Sequence, residues 1–353
     1  MDRHIVIMAG GTGGHVYPAL AVALQLQKEN WQVTWMGTKT GIESRVVPEN
    51  NLVIDYVSVS GIRGTGLWHR FAVPFMLLKS IFQVFGILNR RKPAVILGLG
   101  GFVAGPGGVI AKMLGIPLVI HEQNRVPGTT NRILAKWADR VLQGFPNSFP
   151  EAIGAEYVGN PLRPAIEMLK SKNYAVQKPL NILVLGGSLG ASKLNEIVPD
   201  TLAMIQSVNV VHQTGLAMHA EVKACYLKHK ISVEVVAFIE DMATRYSWAD
   251  LIICRSGAMT VSEVAAAGLP SIMIPFPFAI DDHQTANAQY LVDVKASILI
   301  AQSKLNAQRL AREIEYLIDH PSQLVQMGNA ARQCAQWDAT KTVANICMDE
   351  GSI

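Results

Sequence analysis

Short apolar runs alternate with longer stretches of helical periodicity along the whole chain of 353 residues. In the first half, strands are predicted at HIVIM, WQVTWMG, AVILGLG and PLVIHEQN, with helical segments between them. The first of these helices is predicted from about Tyr17 to Glu29. Because apolar strands separated by helices are typical of βαβ units, the pattern predicts a parallel sheet covered by helices.

The same plan restarts near residue 180, where NILVLGGSLGASKLNEIVPDTLAMI repeats the order of strand, double glycine and helix. The α/β chain is therefore predicted to form two Rossmann-like domains, over residues 1–160 and 161–337. The proline-rich segment 158–166 is predicted to be an extended hinge, because proline disfavours helix in the residue before it. Helices are predicted at about 305–319 and 322–336. A last helix, about 338–353, is expected to pack back on the first domain.

Composition narrows the class of protein. Half of the residues are hydrophobic, only 16% are charged, and the net charge of +4 is too small to indicate a nucleic-acid partner. The four cysteines form no CxxC pair, which argues against a zinc ribbon or a disulfide framework and favours reduced thiols in a cytosolic protein. The first residues read as a strand and not as a signal peptide.

Glycines and polar residues cluster where the predicted strands end. The clusters are Gly10–His15, Gly98–Gly105, His121–Asn124, Gly186–Gly190 and Arg255–Ser256. A glycine turn that opens a helix presents free backbone N–H groups to an anion, so several of them favour a diphosphate ligand over a series of tight turns.

Three common phosphate motifs are absent from the sequence. No Gly-Lys pair exists, which excludes a Walker A loop, and Val16 occupies the last glycine position of the dinucleotide fingerprint. No D-x-D motif is present to hold a metal on a nucleotide sugar, and the Asp281–Asp282 pair is interpreted as a solvated turn. The prediction is a diphosphate site without metal or cofactor, in which helix N-termini and a cation such as Arg163 meet the charge.

Two residues have a chemical interpretation and a structural alternative. His15 is a candidate general base, because histidine titrates near neutral pH, or it binds phosphate or belongs to the first helical turn. Glu263 suits the two hydroxyls of a ribose, but Thr260 and Glu263 also have the spacing of a helix capping box.

Further polar residues near strand ends either contact a ligand or are solvated loop residues. His121 and Asn124 in HEQN, and Gln284 in DDHQTAN, are candidates for ligand contacts. Solvation of an exposed loop explains such residues equally well.

Residues 67–88 have apolar side chains at spacings of three and four, flanked by basic residues. The apolar positions are Leu67, Phe71, Phe75, Leu78, Phe82, Phe85 and Leu88, and the basic ones are Arg63, Arg70, Lys79, Arg90, Arg91 and Lys92. A basic helix with an apolar face suits an anionic membrane surface, and a core helix is the alternative.

Seven motifs together resemble one family over nearly the whole chain. They are GGTGGH, GLGGFVAGP, HEQN, VGNPLR, GGSLGA, CRSGAMTVSEVAAAGLP and HQTANA, in this order. The chain resembles the peptidoglycan glycosyltransferases that form lipid II by moving N-acetylglucosamine from UDP-N-acetylglucosamine to lipid I. The resemblance implies the glycosyltransferase B fold, with parallel sheets facing a central cleft, and an inverting, metal-independent reaction.

The resemblance also implies a place in the cell and a set of partners. The enzyme would lie peripherally on the cytoplasmic face of the bacterial inner membrane, with lipid I, an anionic membrane surface and other cell-wall and division proteins as partners. The membrane patch would comprise Leu67, Phe71, Phe75, Lys79, Phe82 and Phe85. The acceptor loop would comprise Gly100, Gly101 and Phe102, where Phe102 departs from the tyrosine expected in relatives.

Residue roles follow from the same resemblance, with His15 as the candidate base. The donor-binding residues implied are Thr12, Gly13, Gly14, Asn124, Arg163, Ser188, Ile239, Ala258, Met259, Thr260, Val261, Ser262, Glu263 and Gln284. Arg163 and Ser188 would hold diphosphate oxygens, and Ile239 would meet the uracil through its backbone. Two alternatives remain: a UDP-N-acetylglucosamine epimerase of the same fold, and a non-catalytic binder of nucleotide sugars.

Overall fold

The computed structural model describes residues 3–59, 67–169, 178–186 and 191–352, with the backbone alone at 67–75, 77 and 280. The chain divides into two compact units. Unit 1 contains Met1–Arg163 and Gln336–Ile353, and unit 2 contains Pro164–Ala335. The division after residue 163 lies three residues beyond the boundary expected from the sequence, and the C-terminal segment belongs to unit 1.

Unit 1 is built on a parallel sheet of seven strands in the described part of the chain, in the order β3-β2-β1-β4-β5-β6-β7. The strands are β1 (His4–Met8), β2 (Gln32–Gly37), β3 (Val53–Tyr56), β4 (Val95–Gly98), β5 (Leu118–Glu122), β6 (Arg140–Gln143) and β7 (Glu156–Tyr157). All residues of β1, β4 and β5 are buried, which explains their unbroken apolar runs.

The helices of unit 1 cover both faces of this sheet. They are α1 (Gly13–Lys28), α2 (Glu43–Glu49), α3 (Leu67–Arg91), α4 (Gly101–Met113), α5 (Thr129–Leu134) and, at the far end of the chain, α14 (Ala339–Glu350); a 3₁₀ helix spans Glu151–Ile153. Val343, Ala344 and Cys347 of α14 are buried in the same core as β1 and α1. The last helix is thus part of the core of unit 1.

Unit 2 repeats the plan with six parallel strands among its described residues, in the order β10-β9-β8-β11-β12-β13. The strands are β8 (Leu180–Leu185), β9 (Val208–Gln213), β10 (Glu234–Val236), β11 (Leu251–Cys254), β12 (Ser271–Met273) and β13 (Ser297–Leu299). The helices are α6 (Pro164–Glu167), α7 (Ser192–Leu202), α8 (His219–Lys228), α9 (Met242–Trp248), α10 (Ala258–Ala267), α11 (His283–Asp293), α12 (Ala307–Asp319) and α13 (Pro321–Gln333), with 3₁₀ helices at Ile280–Asp282 and Gln302–Lys304.

Two local expectations need correction. Helix α1 begins at Gly13 and not near Tyr17, so Gly13 and Gly14 belong to the first helical turn. Residues 158–163 have no regular structure, as expected of an extended segment, but Pro164–Glu167 are helical. Proline is compatible with the first position of a helix, where its missing N–H would have no helical partner.

Candidate functional site

The glycine turn after β1 is held in place by a buried carboxylate. Gly11 has a φ of +92°, a conformation that favours glycine, and its N–H donates to Oε2 of Glu43 at 3.0 Å. The other carboxylate oxygen of fully buried Glu43 accepts from the N–H and hydroxyl of Thr38, at 2.9 and 2.7 Å. Sequence reasoning missed Glu43, because no local motif links it to a turn 32 residues earlier.

The first turn of α1 presents backbone donors at the carboxyl end of β1. Thr12 is the N-cap, with extended φ and ψ angles, and its side chain makes no capping hydrogen bond. Gly13 and Gly14 follow as the first helical residues. The N–H groups of this turn can therefore bind an anion, as the glycine pattern predicted.

The loop after β4 lies against the same turn. Gly100 and Gly101 have φ angles of +102° and +79°, and a Cβ on Gly101 would lie 2.6 Å from the carbonyl oxygen of Gly10. A Cβ on Gly100 would lie 3.1 Å from Cε1 of His15. Phe102 follows with half of its surface exposed. The structure thus brings the predicted acceptor loop next to the candidate base.

His15 is connected to the end of β5 through a buried glutamine. Its Nδ1 lies 2.7 Å from Oε1 of Gln123, and Nε2 of Gln123 lies 3.0 Å from Nδ1 of His121. His121 in turn contacts the carbonyl oxygen of Gly159 through Nε2, at 2.9 Å. Burial lowers the pKa of His121 to about 4, so the ring is neutral at physiological pH. His121 is therefore a buried support of the site and not a loop residue in solvent.

Asn124 is held beside this group by Glu122. Its backbone N–H and its side-chain Nδ2 both donate to Oε1 of Glu122, at 2.9 and 3.1 Å. The second oxygen of the buried Glu122 carboxylate accepts from the N–H of Gly128 and from Asn131. The HEQN segment therefore has a defined conformation that leaves Asn124 half-buried at the strand end.

In unit 2, the run Ala258–Glu263 forms the start of α10, directly after β11. Gly257 is the N-cap and Thr260 is the third helical residue, so the capping-box interpretation of Thr260 and Glu263 is wrong. Glu263 is buried, with 8% of the residue exposed, and its carboxylate accepts from the hydroxyl of buried Tyr246 at 2.9 Å. Tyr246 holds this carboxylate in one orientation, a role that the sequence did not reveal.

A cleft of about 400 Å³ lies at the carboxyl end of β10. Its lining includes Val236, Phe238, Ile239, Asp241 and Thr244. Ile239, the residue expected to meet uracil, therefore lines an open cavity with apolar and polar walls.

Arg255 directly follows β11, and Gln284, in the first turn of α11, reaches the loop after β12. Oε1 of Gln284 accepts from the N–H of Phe276 at 2.9 Å, so its side chain can offer N–H donors to a sugar. Arg255 donates to the carbonyl oxygens of Ile274 and Pro275 and to Gln302, at 2.7–3.1 Å. Arg255 thus stabilises the strand end.

Some expected site residues cannot be compared with the structure. Ser188 lies outside the described residues, as do its neighbours from Gly187 to Gly190, and so do the side chains of Leu67, Phe71 and Phe75. Arg163 is half-buried at the end of the first segment of unit 1.

Helix α3 has a buried face and an exposed face. Ser80, Val84 and Leu88 are buried, so Leu88 does not belong to an outer stripe. Phe82 and Phe85 are 68% and 47% exposed, and Lys79 is exposed beside them. No helix among the described residues is both long and apolar enough to cross a membrane.

A cluster that could hold a metal ion lies elsewhere in unit 2. It comprises Asp200 of α7 with Cys225 and His229 at α8, and Nε2 of His229 already lies 2.9 Å from Oδ1 of Asp200. These helices run antiparallel to the strands, so their C-terminal turns lie at the amino ends of the strands, away from the carboxyl ends where the candidate site lies. The cluster does not belong to the candidate site.

The comparison with known proteins agrees with this architecture. Residues 5–143 match the glycosyltransferase family 28 N-terminal domain, and residues 181–344 match the family 28 C-terminal domain. The crystal structure of Acinetobacter baumannii MurG superposes with a TM-score of 0.83 at 41% identity, covering 98% of this chain and 99% of that one.

Curated relatives match from end to end. A protein of Methylococcus capsulatus is 54% identical over 99% of both chains, and one of Shewanella denitrificans is 48% identical over 99% of this chain and 97% of its own. Both are named UDP-N-acetylglucosamine–N-acetylmuramyl-(pentapeptide) pyrophosphoryl-undecaprenol N-acetylglucosamine transferase. The two-domain α/β prediction is confirmed, and the chain belongs to glycosyltransferase family 28.

Proposed function

We propose that this enzyme transfers N-acetylglucosamine from UDP-N-acetylglucosamine to lipid I, the undecaprenyl-diphosphate-linked muramoyl pentapeptide, and so forms lipid II. The 4-hydroxyl oxygen of the muramoyl sugar attacks the anomeric carbon while the bond from that carbon to UDP breaks. UDP leaves with the bonding electrons, and the hydroxyl proton passes to a base. Attack from the face opposite to UDP converts an α-linked donor into a β-1,4 product.

The observation that carries this chemistry is the position of His15. The ring lies beside Gly100 at the meeting point of the turns after β1 and β4, and its Nδ1 is bound to Gln123. Its Nε2 makes no hydrogen bond to any residue that the structure describes. A neutral histidine in this setting is suited to accept the proton of the acceptor hydroxyl. The full-length match to named transferases supports the choice of substrates.

Unit 2 would bind the donor nucleotide. Glu263 would accept hydrogen bonds from the ribose hydroxyls, since Tyr246 orients its carboxylate from the buried side. The cleft at Ile239 has room for a pyrimidine base, and Gln284 can donate to sugar hydroxyls. The backbone donors of Ala258–Thr260 at the start of α10 would face an anionic or polar part of the donor.

The other proposed donor-binding residues are those that the family resemblance of the sequence implies. We propose that Arg163 and Ser188 neutralise the diphosphate, whose developing charge on UDP must be stabilised as the bond breaks. Thr12, Gly13, Gly14 and Asn124 would lie beside the transferred sugar. No D-x-D motif is available to present a metal to the diphosphate, so we expect transfer without a divalent cation.

The exposed face of α3 would hold the enzyme at the membrane that contains lipid I. Phe82 and Phe85 would enter the lipid interface while Lys79 meets anionic headgroups. We propose a peripheral position on the cytoplasmic face of the inner membrane, where other cell-wall and division proteins would be neighbours.

The test is UDP release from UDP-N-acetylglucosamine in excess EDTA, with and without a soluble lipid I analogue. We expect release that depends on the acceptor, with a disaccharide product. Release only after addition of magnesium would contradict the proposed diphosphate site. No release under either condition would contradict transferase activity, and analysis of the donor would then separate an epimerase from a binding protein.

A further inference from the structure

The orientation of the Gln123 amide follows from a partner that can only accept. Nε2 of Gln123 lies 2.9 Å from the backbone carbonyl oxygen of His121. A carbonyl oxygen donates no proton, so the amide nitrogen must face it and Oε1 must lie on the opposite side. Oε1 is the atom that lies 2.7 Å from Nδ1 of His15. The choice between amide oxygen and nitrogen is thus decided without reference to His15.

The protonated nitrogen of the neighbouring His121 ring is identified in the same way. Its Nε2 lies 2.9 Å from the carbonyl oxygen of Gly159 and must carry the proton. In the neutral ring, Nδ1 is then an acceptor, and it lies 3.0 Å from Nε2 of Gln123. The Gln123 amide therefore donates both to Nδ1 and to the carbonyl oxygen of His121. A further bond, from Nδ2 of Asn160 to the carbonyl oxygen of Gln123 at 3.0 Å, holds the backbone.

The consequence concerns the atom of His15 that is free to react. Oε1 of Gln123 has no proton to donate, so Nδ1 of His15 must carry one to form their hydrogen bond. We infer that Gln123 is a positioning residue that holds His15 in the Nδ1–H tautomer and so makes Nε2 the atom that accepts the proton of the acceptor hydroxyl. The role in proton transfer rests on the proposed function, whereas the tautomer does not.

The direct test is the tautomer of His15 in the full-length protein, measured by long-range ¹H–¹⁵N NMR with ¹⁵N-labelled histidine. We expect the wild-type ring to show a protonated Nδ1 when it is neutral. In the Gln123→Met variant, which keeps the length of the side chain and removes the acceptor, the Nε2–H form should become detectable. A wild-type ring protonated at Nε2, or a tautomer unchanged in the variant, would overturn the inference. The wild-type measurement tests the predicted tautomer even where the variant does not fold.

Steady-state kinetics then test the link to catalysis. Gln123→Met should lower kcat by roughly ten- to a hundredfold, since general-base catalysis supplies about 10²–10⁴. The KM for UDP-N-acetylglucosamine should stay within about twofold, because no donor contact is lost. A changed tautomer with an unchanged kcat would refute Nε2 as the proton acceptor. Absence of transfer in the wild-type enzyme would refute the proposed function and leave the tautomer result intact.

The matched control is Gln143→Met at the end of β6. Gln143 is also a buried glutamine of unit 1, with hydrogen bonds to Ala155, Ser148 and Phe149, and none to His15. The control should lose stability but keep the tautomer of His15 and most of the wild-type kcat. An equal loss of kcat in both variants would show that Gln123 acts only through folding.

Discussion

At the scale of single residues, the glycines after β1 serve two different purposes. Gly11 is required by its backbone, since its φ of +92° is unfavourable for other residues. Gly14 is in a helix, and a Cβ there would meet only the Thr12 hydroxyl oxygen, at an ordinary 3.7 Å. The fold therefore requires glycine at position 11 but not at position 14, where the missing side chain leaves space for a ligand.

Replacing Gly14 by alanine should separate stability from activity. Alanine is favoured over glycine in helices by up to about 1 kcal/mol, so the free energy of unfolding should rise or stay unchanged. Transfer should fall by roughly tenfold or more, because a 1 Å displacement of reacting groups is costly. Gly86→Ala in α3, also a helical glycine with no atom near an added Cβ, is the control and should keep its activity toward a soluble acceptor. Unfolding curves and initial rates would measure both, and full activity of the Gly14 variant would disprove a ligand at this position.

Glu263 is the residue on which donor affinity should depend. Replacement by glutamine removes a charged acceptor, and a hydrogen bond to a charged group contributes about 1.5–3 kcal/mol. We expect the KM for UDP-N-acetylglucosamine to rise by roughly tenfold or more, with a much smaller change in kcat. Tyr246→Phe, which removes only the bond behind the carboxylate, should have a weaker effect. An unchanged donor KM for Glu263→Gln would exclude the ribose contact.

At the scale of elements, α3 shows why a periodic pattern leaves two interpretations open. The sequence has apolar residues on more than one side of this helix, which suits both a core helix and a membrane-facing one. The structure buries Val84, Ile87 and Leu88 against the sheet and exposes Leu78 and Phe82. The same helix therefore packs on the core and presents an apolar surface.

Changing Phe82 and Phe85 together to serine should release the enzyme from anionic vesicles. Burial of a large apolar side chain contributes about 1.5–3 kcal/mol, so the partition coefficient should fall at least roughly tenfold while the protein stays folded. Leu227→Ser in α8, where the side chain is 69% exposed, is the control for a general loss of apolar surface. Sedimentation with vesicles measures the binding, and circular dichroism checks the fold. Equal binding by the double variant and the wild type would exclude this face as the membrane contact.

At the scale of the whole molecule, each unit contains a buried histidine that makes it sensitive to acid. Burial lowers the pKa of His121 to about 4, although the Gly159 carbonyl and Glu122 raise it, and burial lowers the pKa of His212 to about 3. Both rings have an ordinary pKa of 6.5 in the unfolded chain. Between the folded pKa and 6.5, the unfolded chain therefore binds more protons than the folded protein. The free energy of unfolding should therefore fall as the pH drops below 6.5. Between pH 7 and pH 5, unit 1 and unit 2 should each lose about 2 kcal/mol.

Urea unfolding at the two pH values, followed by probes in each unit, would measure this effect. His212→Gln should reduce the pH dependence of unit 2 and leave that of unit 1 unchanged, so that each unit is the control for the other. A pH dependence that persists in unit 2 of the variant would mean that other groups are responsible.

The sequence by itself determined the features that depend on neighbours along the chain. Apolar runs predicted the parallel strands, glycine clusters predicted the turns at their carboxyl ends, and the ordered motifs predicted the family. These signals are local, because strand burial and helix initiation restrict residue types over a few positions. The predicted bounds of α12 and α13 differ from the observed ones by only a few residues, for the same reason.

Only the tertiary structure decided which side chains meet. The strand order places β1, β4 and β5 side by side, and this brings His15 to Gln123, 108 residues later. Packing between separate segments likewise decides three other features. They are the hydrogen bond from Gly11 to Glu43, the hydrogen bond from Tyr246 to Glu263, and the burial of Leu88. Such contacts leave no periodic trace in the sequence, because each depends on one side chain that packs against a segment elsewhere in the chain.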